Sequence, residues 1–142
     1  MPTAFKEWAA ICRALAAGRQ DVILRKGGIV EPGGEFRVDH RRFLLLPTFL
    51  HQSAEQLIPG ARDLLAGIDA DRPPEGRVVL THEAEVVRAT RVASLEALAP
   101  FRSRHVWADA VVGGPPCGTL LTRILLRITP TAARHHAICC TG

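Results

Sequence analysis

The sequence predicts an α+β fold: one domain with an N-terminal helix and a mixed, mostly antiparallel curved sheet or small open β-barrel. Three observations predict it. Apolar residues recur at helical spacing near the start, as Phe5, Trp8, Cys12 and Leu15. Further on, Phe36, Val38 and His40 alternate with Arg37, Asp39 and Arg41, the period of a strand. The early strands are joined by turns too short for crossover helices, which excludes an all-parallel sheet. The 142 residues are 47% hydrophobic and 23% charged, which suits one globular domain and argues against disorder along most of the chain.

Each element follows from local signals. Thr3 is the expected cap of the first helix and Gly18 its stop. Asp21 to Arg25 reads as a short strand that ends at Lys26-Gly27-Gly28, and Glu31-Pro32-Gly33-Gly34 is a second turn. Phe43 to Leu46 reads as a buried strand closed by Pro47. Ser53 with Gln56 forms a capping-box pattern that opens a helix, interrupted at Pro59-Gly60 and continued by Ala61, Leu64, Leu65 and Ile68. A loop over 69–76 leads to a strand at Arg77 to Leu80 and more extended chain at Ala84 to Ala89. A short helix over Ser94 to Leu98 stops before Pro100, and Leu120 to Ile128 is the last strand. The domain is predicted to span residues 3–128, and 129–142 form an atypical tail, disordered or frame-shifted.

Lysines and arginines number 18 against 14 acids, a net charge of +4 that permits a nucleic-acid partner without requiring one. The apolar run from Phe43 to Leu50 contains Pro47 and is too short to cross a bilayer, and Met1 to Glu7 carries no basic leader before an apolar block. A cytoplasmic protein without membrane contact is expected. Cys12 reads as a core residue. The other cysteines, Cys117, Cys139 and Cys140, form no C-x-x-C pair, so no zinc ribbon or redox motif is predicted, and no cofactor is expected.

The densest polar group is Arg25, Lys26, Gly27 and Gly28 with His40, Arg41, Arg42, His51 and Gln52. Pairing of 22–25 with 36–41 would place two basic clusters at neighbouring strand ends. Arg25, Lys26 and Arg41 would then contact phosphate, Gly27 and Gly28 would let backbone amides approach an anion, and His40, His51 and Gln52 would add directional contacts. His40 and His51 flank the buried strand and would meet at one edge. The bland reading is that strand-end arginines form weak surface ion pairs. His82-Glu83-Ala84-Glu85 places two carboxylates on one side of a strand, where they could share a metal given a further ligand from elsewhere; none is evident, so no metal site is assigned, and the pair stays with the hydrolase alternative. Trp107 reads as a core anchor. Two functions are therefore expected: a non-catalytic module binding nucleic acid or a phosphate-bearing ligand, or a metal-dependent hydrolase or nuclease with His40 or His51 as base.

Phe5 to Cys12, Gly18 and Leu24 to Ile29 resemble the opening of an uncharacterised bacterial family, domain of unknown function 1802. The resemblance continues through His40 to Phe43, Pro47-Thr48 and His51-Gln52, returns at His105-Val106-Trp107, and spans Phe5 to Ile128. It departs at Arg42, where the family commonly has an acid, and beyond Thr129, where the chain is unlike the family's ending, so truncation is expected. The resemblance implies a link to restriction–modification. Gly18 to Arg25, with a later Trp segment leading into a strand, also resembles the small barrels of the PUA and ASCH group, which implies RNA binding.

Overall fold

The computed structural model describes residues 3–26, 40–92, 94–112 and 121–137. Five strands form one sheet: β1 (Ala4–Trp8), β2 (Val22–Lys26), β3 (Arg42–Thr48), β4 (Arg77–Val92) and β5 (Leu121–Ala137), ordered β1-β3-β4-β5-β2. Of these five, β1 and β3 run parallel; every other neighbouring pair is antiparallel. The mixed, mostly antiparallel α+β architecture is as the sequence predicts. The sheet curls into a half-barrel, because Arg25 on edge strand β2 reaches the Lys6 carbonyl and the Glu7 carboxylate on the opposite edge, β1. Two register shifts in the β4–β5 ladder, between Leu80 and His82 and between Val86 and Arg88, supply the bends.

Helix α1 (Ala9–Ala16) buries Ala9, Ala10, Ile11, Ala14 and Leu15 against Ile23, Phe43, Leu45, Ile124 and Leu126 of the sheet. Its alanines bring helix and sheet close, and Gly18, at φ 73°, adopts the left-handed conformation that ends it. Three 3₁₀ segments, Ala54–Gln56, Pro59–Leu65 and Ile68–Asp71, close the barrel beside α1 through Leu57, Ala61, Leu64 and Ile68. A fourth, Glu96–Arg104, packs Leu98 against Val92, with Leu24 and Val112 alongside. The four-residue helix α2 (Asp109–Val112) follows.

Several expectations are corrected. Phe5 belongs to β1 rather than to the first helix, and packs edge-on against Phe43 at 4.5 Å. The strand ends at Trp8, whose backbone (φ −57°, ψ 140°) is extended, so α1 starts four residues later than the apolar spacing suggested. Pro47 does not close β3. The Leu44 N–H donates to Thr3 on the β1 side, and the Arg41 carbonyl accepts from Val86 on β4. By alternation Pro47 faces the β4 side, and the β3–β4 pairing stops at Leu44, so its missing N–H removes no ladder bond. Among the described residues β2 pairs with β5, and Arg41 leads into β3 between β1 and β4; residues 36–39 of the predicted pairing with 22–25 lie outside the described residues. Residues 27–39, with the second turn, lie outside the described residues.

Ser53 does cap, accepting from the Glu55 N–H at 3.3 Å, but the helix it opens is a single 3₁₀ turn. Pro59 begins the next segment rather than interrupting one. Pro100 sits inside a 3₁₀ segment instead of ending a helix. The strands expected near 77–80 and 84–89 are one 16-residue strand. The domain boundary at Ile128 falls inside β5, which stays paired with β4 as far as Ala137 opposite Arg77. Thr129 to Ala137 are therefore strand, where a disordered tail was expected.

Candidate functional site

The basic end of β2 is built by register. Arg25 pairs with Thr122 on β5, and Thr122 pairs with Arg91 on β4. Directly paired residues point to one side of a sheet, so the three side chains form a rung on the core-facing side that also carries Ile23, Ile124 and Ala89. Thr122 is buried and Arg91 is exposed. Arg25 pairs with the Glu7 carboxylate at 2.8 Å and donates to the Lys6 carbonyl at 3.2 Å. The Glu7 side chain is only 10% exposed. Burial pushes its pKa up, and Arg25 and the Trp8 N–H only partly offset this. Arg91 has no ion-pair partner among the described residues. Lys26 ends β2 opposite Leu121, and Gly27 and Gly28 lie outside the described residues.

The second predicted cluster is elsewhere. Arg42 pairs in register with Glu85, and Leu44 with Glu83, on the side of the sheet opposite Phe43 and Ala84. There Arg42 Nε donates to Glu83 at 2.6 Å, while Glu85 takes Arg127 at 3.1 Å and Arg41 at 3.7 Å. These arginines form the surface ion pairs of the bland reading. Glu83 and Glu85, the possible metal ligands of the hydrolase alternative, are arginine partners, and no cluster of three His, Cys, Asp or Glu able to hold a metal occurs among the described residues. Among the described residues no hydrogen bond or ion pair joins Arg25 to Arg41 or Arg42.

His40 lies at the start of β3, 3.4 Å from the Thr3 hydroxyl and 6.3 Å, ring to ring, from Phe5. His51 follows the other end of β3 in a left-handed turn at φ 62°. The strand between them rises roughly 3.3 Å per residue, so the imidazoles do not share an edge. Gln52 has a different task from the one predicted: its Oε1 accepts the Ala10 N–H at 2.9 Å. It caps α1, where Trp8 supplies no side-chain cap.

The sequence reading missed residues that hold this end of the barrel. Gln20 is buried, donates to the Val22 carbonyl at 2.9 Å and accepts from the Val106 N–H at 3.1 Å. Asp21 and Arg104 pair through two bonds of 2.9 and 2.5 Å. Arg91 was also missed, although Arg88 and Arg91 are visible cations in a β-branched run. Trp107 is a core anchor, as expected, packed edge-on against Trp8 at 4.8 Å and bridged to Leu57. Cys12 also behaves as a core residue, with burial pushing its thiol up to about 12.

His105 is buried, and its Nδ1 has no hydrogen-bond partner among the described residues. Burial pushes its pKa below the usual histidine value, Arg102 pushes the same way, and Asp109 opposes them. A depressed folded pKa means the unfolded chain protonates first. The stability that neutral His105 contributes is complete above the unfolded value, about 6.5, and is lost as pH falls through the folded value. Urea unfolding at pH 7.5 and pH 5 should show the wild type losing more stability on acidification than His105→Asn. Equal losses would remove His105 as the acid-sensitive group.

The chain matches the family described as "Domain of unknown function (DUF1802)" over residues 4–135. A serine-to-alanine mutant of the ZmASCH protein from Zymomonas mobilis, a crystal structure, has a similar fold: TM-score 0.53 at 14% identity, covering 90% of this chain and 71% of that one. At that identity the likeness concerns fold alone. Nothing among curated proteins matches this chain.

Proposed function

This chain belongs to the family of unknown function DUF1802, and we propose that it is a non-catalytic module binding nucleic acid or a phosphate-bearing ligand at the basic end of β2. One observation carries the reading: Arg25 and Arg91 flank Thr122 on a single rung, and among the described residues Glu7 is the one carboxylate paired with either. Lys26 and the Gly27-Gly28 pair continue from that rung in sequence. Arg91 takes the place first given to Arg41, which is spoken for by Glu85. Arginine forks suit phosphate oxygens, and glycines allow close backbone approach. RNA is the first ligand to test, because the ASCH-like fold fits the resemblance to PUA and ASCH modules. No described helix is long and apolar enough to cross a membrane. A cytoplasmic site of action, and a role beside restriction–modification enzymes, belong to this proposal; the latter needs DNA as the ligand.

The test is fluorescence anisotropy with labelled RNA, single-stranded DNA and duplex DNA across a salt series. Affinity should fall as salt rises. Arg25→Ala with Arg91→Ala should flatten the log–log slope for a single strand by about 1.4, two lost contacts at about 0.7 each. An unchanged slope would remove this rung from the interface, and tighter binding of duplex DNA than of RNA would favour the restriction setting.

A further inference from the structure

We propose that Arg104 and Arg123, both against the Phe101 ring, and Arg88 beside Arg123, on the side of the sheet opposite the Arg25–Thr122–Arg91 rung, form a second anion site that takes a phosphate group. The strand register puts them there. Thr90 pairs with Arg123 and Arg88 with Leu125, so Arg88 and Arg123 are diagonal neighbours on one face of the β4–β5 ladder. Leu24, the β2 partner of Arg123, shares that face and packs against the Val92–Leu98 cluster under the 96–104 segment. The same segment brings Phe101 and Arg104 to the face. The Phe101 ring holds two guanidiniums, Arg123 at 3.6 Å and Arg104 at 5.9 Å from its centroid.

Among the described residues each of these arginines keeps donors uncommitted. Stacking fixes the plane of the Arg123 guanidinium, and one of its edges donates to the Thr90 hydroxyl at 3.2 Å. A guanidinium carries five N–H donors, so most of the Arg123 fork is uncommitted among the described residues. Arg104 spends Nε and Nη2 on Asp21. Arg88 is exposed and has no ion-pair partner among the described residues. Among those residues, the three guanidiniums meet one carboxylate, that of Asp21. Where β3 meets β4 the arginines are matched: Arg42 has Glu83, and Arg41 and Arg127 share Glu85.

Like charges so placed repel, and the effect registers on Arg123: burial pulls its pKa down, and Arg88 and Arg104 pull it down further. An anion with two negative charges would cancel the surplus. A carboxylate presents two oxygens to one fork. A phosphate group presents oxygens in three dimensions and can accept from forks on two strands at once, which matches Arg88 and Arg123. The same chemistry is offered by free inorganic phosphate and by the phosphate of a nucleic acid. The inference does not need the nucleic-acid reading to hold.

The experiment titrates inorganic phosphate, and separately a 5′-phosphorylated oligonucleotide and its unphosphorylated form, into the intact chain, followed by ³¹P line shape and calorimetry. Four proteins are compared: wild type, Arg88→Gln/Arg123→Gln, Phe101→Leu, and Arg25→Ala/Arg91→Ala. Phosphate binding is expected to weaken at least fivefold in Arg88→Gln/Arg123→Gln and by a smaller factor in Phe101→Leu, and the component of binding that Arg88→Gln/Arg123→Gln removes is expected to persist in Arg25→Ala/Arg91→Ala. A preference for the phosphorylated oligonucleotide, lost in the same variant, would support the site with nucleic acid as source. Saturable binding of phosphate that Arg88→Gln/Arg123→Gln weakens, without that preference, would support it with free phosphate as source. Equal phosphate affinity in wild type and Arg88→Gln/Arg123→Gln, or no saturable binding of either probe to wild type, would overturn it. Retention of oligonucleotide binding in Arg25→Ala/Arg91→Ala would count against the rung alone, so the two failures are distinguishable. Phe101→Leu keeps an apolar side chain beside the arginines, so the site is tested even where loss of two arginines alters folding.

Discussion

Replacing Gln20 by alanine is expected to lower the unfolding free energy by about 3 kcal/mol, a large share of a small domain's stability. Gln20 is 2% exposed and joins the Val22 carbonyl to the Val106 N–H, two backbone groups at the edge of the core. Truncation strands both of them away from water and opens a void besides. Each unsatisfied group costs on the order of 1–3 kcal/mol, and the void adds to this. Gln20→Glu sharpens the test. Its carboxyl can still accept from Val106, but an ionised oxygen would face the Val22 carbonyl in a buried setting. Burial raises the folded pKa of such a group, so its contribution is retained at low pH and lost as pH rises through that value. Gln20→Glu should therefore be less destabilised at pH 5 than at pH 7.5, and Gln20→Ala should show no such dependence. Chemical denaturation of both at the two pH values decides it. A change below about 1 kcal/mol in Gln20→Ala would show that water replaces the side chain without penalty.

The contrast between Gln20 and Gln52 shows what the sequence could and could not reveal. Strand content was legible where apolar runs were unambiguous, as at Phe43 to Leu46, and so were turns marked by glycine, as at Gly18. The first helix was misplaced because Phe5, Trp8 and Cys12 satisfy helical spacing while Phe5 also fits a two-residue alternation; pairing with β3 settles the matter, and pairing is non-local. The same blindness explains the site. Arg25 and Lys26 were visible as a basic strand end, but Arg91 is 66 residues away in sequence from Arg25 and joins it only through the β4–β5–β2 register. Arg41 looked equally available until Glu85 appeared across the ladder. Gln52 and Gln20 carry no sequence signal that separates a capping or bridging amide from a ligand contact. Composition therefore located one half of the candidate interface, and topology supplied the other.

Glu7→Gln is expected to tighten binding of a nucleic-acid strand by about tenfold at low salt, with the gain shrinking as salt rises, because the Arg25 contact is then made without displacing a carboxylate. In the native chain Glu7 holds Arg25 at 2.8 Å and competes with any anion for it. The substitution removes that competitor and leaves a neutral side chain of the same shape. Its effect on stability should be small, within about 1 kcal/mol at pH 7, since two terms oppose. The pair with Arg25 is lost, but Arg25 is 38% exposed and water can solvate it. The burial penalty on the charged carboxylate is lost too. The sign with pH follows from the raised Glu7 pKa. Its contribution is present in full below the unfolded value, 4.5, and declines as pH rises through the folded one. The stability of Glu7→Gln relative to wild type should therefore improve between pH 4 and pH 7. Wild-type affinity should rise on acidification, as protonated Glu7 lets go of Arg25, and Glu7→Gln should lack that rise. If Glu7→Gln instead binds more weakly than wild type, the carboxylate positions Arg25 for the ligand rather than withholding it, and the rung acts as a pre-ordered ion pair.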